Sequence, residues 1–162
     1  MRTTTAIVDV GTGMIAGYVG TKVLEPVSMK LYELESEEAR RREDEVRPGS
    51  PPEIAARKTT QLLGLRLSDE VVQNLGTYLF HYGLGMSWGA VYTLVRRRTK
   101  WKPVATGLGT GAAMSLLVDE GMTPMLGFSA PNSAYPLVTH LRGFVAHLVF
   151  GLGAAATAET IY

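Results

Sequence analysis

The chain has 162 residues, a formal net charge of +1 and a mean hydropathy of +0.08. That balance argues against a nucleic-acid partner or a polyanionic substrate. With no cysteine, disulfides, thiolate metal sites and cysteine nucleophiles are all excluded.

Residues 6–24 read as a first membrane span, preceded by a single Arg2. Asp9 interrupts the apolar run, the basic region is minimal and no small-x-small cleavage site follows, so an uncleaved span fits better than a signal peptide. Lys22 and Glu25 lie one helical turn apart near its far end, spaced to pair or to snorkel. Pro26 is expected to end or kink this helix.

Residues 28–67 are expected to form a helical extramembrane insert. Within it, 29–46 reads as one solvated helix, with Glu37/Arg41 and Glu38/Arg42 in the favourable i,i+4 order. The signs in SEEARRREDE adjoin and cancel, which suits a solvated face. Arg47-Pro48-Gly49-Ser50 reads as a turn. Ser50-Pro51-Pro52-Glu53 then has the form of a capping box, opening a helix to about Leu63 that stops at Gly64. Its Ile54, Leu62 and Leu63 are expected against the membrane or the bundle, with Arg57 and Lys58 toward headgroups.

Ser68-Asp69-Glu70 caps the next helix, with acids in its first turn. The second span covers 71–95. Its stretch LGTYLFHYGLGMSWGAVYTLV matches the ~20 residues that cross a hydrocarbon core and shows no polar stripe. His81 is its one group that ionises near neutrality. The tract Arg96-Arg97-Arg98-Thr99-Lys100-Trp101-Lys102 follows, as at a helical hairpin that meets anionic headgroups. Pro103 opens the third span, 103–120, continuing past Asp119 and Glu120 to about Met122. Three prolines with Gly127 and Asn132 make 123–136 an irregular connector. The fourth span, 137–158, is apolar except for His140, Arg142 and His147.

The expected fold is therefore an all-α membrane protein: one antiparallel bundle of four transmembrane helices, with the helical insert between the first two. Each span carries a small-xxx-small pair: Gly13/Gly17, Gly85/Gly89, Gly107/Gly111 and Gly151/Ala155. Such pairs let membrane helices approach closely. The run Gly107-Leu108-Gly109-Thr110-Gly111 lacks the preceding strand of a nucleotide-binding loop.

In alternating topology, Lys22, Glu25, His81, Asp119, Glu120, His140 and Arg142 fall toward one end of the bundle. His147 lies two turns below His140, and Asp9 stands alone toward the other end. Ionisable groups at membrane depth point to function, but the same set also reads as an ion-pair network, with Arg142 paired to Asp119 or Glu120. A conduction path would use Asp9, His81, Asp119 and His147. His81 and His147 are also candidate haem or chlorophyll ligands. Gly76, Gly83 and Gly85 flank the first, and Gly143 and Gly151 the second. No metal-spacing motif and no catalytic constellation are present.

HYGLG at 81–85, followed by Gly89-Ala90-Val91-Tyr92, and THLRGFVAHLVFG at 139–151, together with the span order, resemble the YagU-like family of small bacterial inner-membrane proteins. The resemblance implies a multi-span inner-membrane protein and transfers no catalytic residues. A link of that family to acid tolerance would fit the histidine and carboxylate cluster. The expected function is non-enzymatic: a subunit that packs in a homo-oligomer or as an accessory to a larger membrane assembly. Its partners would be the lipid bilayer and other membrane subunits or itself, with no cofactor. A proton or small-solute conduit, and a haem or chlorophyll carrier, are the alternatives. Both termini are expected on the cytoplasmic side.

Overall fold

A computed structural model describes residues 3–162; Arg2 lies outside the described residues. The chain is all-helical, with no strand among the described residues. Helix α1, Thr3–Glu33, is 31 residues long, about 46 Å at 1.5 Å per residue. The insert holds α2, Glu37–Val46, and α3, Pro51–Leu62. Helix α4, Asp69–Leu75, runs without a break through a π-helical segment, Gly76–Tyr82, into α5, Gly83–Arg98. The next rod has the same construction. Helix α6, Pro103–Met114, passes into a second π-helical segment, Ser115–Met122, and ends in the short α7, Thr123–Met125. Helix α8, Leu137–Ile161, closes the chain.

Two helices, Ala6–Glu33 and Leu137–Ile161, are long and apolar enough to cross a membrane by length and composition. Of the four expected spans, the first and the fourth thus have the length and composition to cross a membrane. In the second and third, the π-helical segments interrupt the α-helical run.

Helices α1 and α8 form the central pair; α5 packs mainly on α1 and α6 mainly on α8, and α5 also meets α6 and α8. Glycine sets these distances. A Cβ at Gly13 would lie 2.5 Å from Ala90 Cα, and one at Gly89 would lie 2.5 Å from Gly17 Cα. Between α6 and α8, a Cβ at Gly107 would lie 2.5 Å from the Gly151 carbonyl oxygen. Each close crossing brings the paired glycines of one rod against those of another, as small-residue packing requires.

Three local expectations change. Pro26 does not end α1, which continues to Glu33. Helix α1 is held on both sides of the proline: Gly13 and Gly17 seat it on α5, and Tyr32 lies 5.0 Å from the Arg142 guanidinium. The single helix expected over 29–46 is two helices. The chain leaves α1 through Leu34 and Glu35, and the Ser36 side chain caps α2 by accepting from Ala39 N. Ser50 makes no side-chain cap, so Pro51 and Pro52, which need no acceptor, open α3. Gly64, at φ +69°, follows its end as expected.

Candidate functional site

Burial is inverted relative to a water-soluble core. The largest fully buried side chains are Tyr92, Phe150, Glu43, Thr93, Thr106, Asp9 and Ser115, while Ile7, Val8, Ile15, Leu79, Leu116, Leu117 and Leu141 face outward. Small and hydroxyl residues fill the interior because the glycine crossings leave no room for larger ones. Thr21, Thr106 and Thr110 return their hydroxyls to their own helix, bonding Gly17 O, Lys102 O and Thr106 O.

The two π-helical segments scarcely touch each other. Between them lies a cavity of about 1130 Å³, walled by α1, both π-helical segments, α8 and the start of α3. Leu24, Phe80, Leu84, Met114, Val118 and Phe150 make most of its surface apolar. His81, Asp119 and His147 also line it. The start of α3 forms its wall on the insert side, where Gly76 lies under the Pro52–Glu53 backbone. The cluster Ala16, Tyr92, Ala154, Ala155 and Ala158 packs apart from its lining.

The seven side chains expected at one end are all there, but in separate networks. In the first, Tyr82 OH donates to Glu25 Oε1 at 2.6 Å and His81 Nε2 lies 3.2 Å from the same oxygen. Lys22 bonds Glu25 at 3.3 Å, donates to Tyr82 OH and sits over its ring. In the second, His140 Nδ1 meets Glu120 Oε1 at 2.8 Å, and its Nε2 meets the Asn132 carbonyl at 3.1 Å. In the third, His147 Nδ1 is 2.8 Å from the Gly143 carbonyl and 3.3 Å from Asp119 Oδ2.

Arg142 belongs to none of these. The expected pairing with Asp119 or Glu120 is corrected: Arg142 bonds Glu35 at 2.5 Å and both oxygens of Glu43 at 2.7 Å. Glu43 also accepts from Thr139 at 2.8 Å and pairs with Arg47. The insert is therefore not solvated throughout, since Glu43 is fully buried where α2 docks on α8. On α2's outer face the ion pair formed is Arg41–Glu45 at 3.8 Å, in place of Glu37–Arg41. Of the five acids in EEARRREDEV, Glu43 is set apart only by its i,i+4 relation to Arg47.

Asp9 is not alone either. Arg97 Nε lies 3.1 Å from its Oδ1, and Tyr162 OH donates to that oxygen at 3.0 Å. His81, Asp119 and His147 line the cavity and Asp9 does not. Leu62 and Leu63 face outward. Lys58 donates to the Leu126 and Gly127 carbonyls, tying α3 to the 123–136 connector. Arg57 bonds Asp69 at 2.9 Å, and that hydrogen bond holds the guanidinium above its usual range.

Of the glycines offered as clearance for a macrocycle, Gly76, Gly85 and Gly151 are pressed against other segments of the chain. Gly83 and Gly143 keep open space. No three His, Asp or Glu side chains among the described residues are grouped to hold a metal ion. The chain matches no family model, no curated protein and no solved structure.

Proposed function

We propose that this is an integral membrane protein of four spans that binds an amphipathic small molecule in the cavity between its two π-helical walls. The observation that carries the reading is the inverted burial, joined to that cavity. Apolar side chains such as Ile7, Ile15, Leu79, Leu116 and Leu141 turn outward while Thr, Gly and Asp turn in. A soluble monomer does not tolerate so much outward apolar surface, and lipid does. The rods 69–98 and 103–125 match the central pair in direction and length. Their π-helical turns belong where a membrane helix borders a cavity and not where it borders lipid alone.

Topology follows from the charges. Arg96, Arg97, Arg98, Lys100 and Lys102 gather in one short tract between two rods, the pattern that the positive-inside rule assigns to the cytoplasm. Trp101, exposed within the tract, suits an interfacial position. The tract and both termini are cytoplasmic; the insert, the 123–136 connector and the cavity lie toward the opposite side.

A binding role is preferred to two others. Most of the paired glycines behind the accessory-subunit expectation make contacts within the chain, and Asp9, which a conduction path would use, does not line the cavity with His81, Asp119 and His147. The test is native mass spectrometry of protein in nanodiscs titrated with dodecanol and dodecylamine. Saturable uptake of one of them, lost in Leu84→Trp, supports the reading. Equal uptake by wild type and Leu84→Trp, or none by either, overturns it.

A further inference from the structure

Every other carboxylate around the cavity is committed. Glu25 holds Tyr82, His81 and Lys22, Glu53 holds Arg57, and Glu120 holds His140. Asp119 differs. Its side chain lines the cavity and is 41% accessible, and it accepts no hydrogen bond from the described residues. No Lys or Arg lies within ion-pair distance of it among the described residues; the one titratable nitrogen at that range is His147 Nδ1, at 3.3 Å. That nitrogen is already engaged, because the Gly143 carbonyl at 2.8 Å only accepts, so Nδ1 carries the hydrogen. In the neutral ring Nε2 is then a bare acceptor, and it has no partner among the described residues. Arg47, the one guanidinium on the cavity wall, is paired with Glu43. The π-helical turn Ser115–Met122 is what places Asp119 on the wall facing His81 and His147.

We infer that the cavity's ligand is a lipophilic cation, a protonated amine carried on an apolar tail, with Asp119 as its counter-ion and His147 Nε2 as a second acceptor. The deduction rests on the binding role proposed above. A carboxylate in an apolar cavity is costly unless a cation and hydrogen-bond donors meet it. An ammonium headgroup supplies both, and its three N–H donors match the Asp119 oxygens and the His147 lone pair. The apolar wall of Leu84, Met114, Val118 and Phe150 receives the tail. An anionic amphiphile would set its charge against Asp119. A neutral alcohol would satisfy the hydrogen bonds without the charge.

Three probes with the same chain separate the cases: dodecylamine, dodecanol and dodecanoate. They are titrated into nanodisc-embedded Trp101→Phe protein, so that Trp88, which packs beside Leu84 and the Met114 cluster, reports by fluorescence. Empty nanodiscs set the background. Dodecylamine is expected to bind at least about tenfold more tightly than dodecanol, with dodecanoate weakest, as a charge-assisted contact predicts. Asp119→Asn should remove that preference while leaving dodecanol binding in place. If dodecylamine and dodecanol bind alike and Asp119→Asn changes neither, the cavity binds but the cation assignment fails. Tighter binding of dodecanoate overturns it as well. If none of the three binds, both the assignment and the binding role fall.

Discussion

Arg142 and Asp119 lie on facing helices at the same end of the bundle, and the structure gives them opposite duties. Arg142 neutralises two carboxylates, one of them fully buried, and Glu35 Oε2 and Asp9 Oδ2 are the buried side-chain oxygens left without a partner among the described residues. Replacing Arg142 with Met strands Glu35 and leaves Glu43 with Arg47 and Thr139 alone. Breaking a buried pair in this way costs about 3–5 kcal/mol, read as a lower denaturation midpoint in detergent. Asp119→Asn breaks no protein hydrogen bond, so its midpoint should stay within about 1 kcal/mol of wild type. Equal losses in the two variants would contradict this division. At this scale the sequence was readable where partners are neighbours, as with Lys22 and Glu25 at 3.3 Å. It was not readable where the partner comes from a charge-dense helix. Little in EEARRREDEV distinguishes the acid that docks from those that face water, because its five acids are chemically alike.

Among the elements, the glycine pairs were legible as close-contact devices, and the structure shows which pair meets which: Gly13/Gly17 against Gly85/Gly89, and Gly107/Gly111 against α8 around His147 and Gly151. Gly107→Ala should cost about 1–3 kcal/mol by overpacking. Gly11→Ala, with nothing within 4 Å of the added carbon, should be neutral or gain up to about 1 kcal/mol of helix propensity. Thermal midpoints of the two variants in one detergent check the contrast, and a loss at Gly11 matching that at Gly107 would count against it. The π-helical segments were invisible in the sequence. Their residues are ordinary helix-compatible ones, and i→i+5 bonding leaves no periodic mark over a single turn or two. Pro26 misled for a related reason: it removes one backbone hydrogen bond, and packing on both sides keeps the rod continuous.

For the whole molecule, the order and direction of the four rods were legible from apolar length and from the turn chemistry between them. The cavity was not. It lies between two π-helical segments that scarcely touch each other, a property of three-dimensional packing that hydropathy does not encode. The central claim is that these four rods span a bilayer, with the insert on one side and the termini on the other. The absence of cysteine makes the test direct, because each introduced thiol is the only one. Ser50→Cys, Thr99→Cys, Ser129→Cys and Tyr162→Cys are labelled separately with a membrane-impermeant maleimide, before and after permeabilisation. The account predicts that Ser50→Cys and Ser129→Cys label in intact cells, and that Thr99→Cys and Tyr162→Cys label only after permeabilisation. Labelling of Ser50→Cys and Tyr162→Cys from the same side would contradict it.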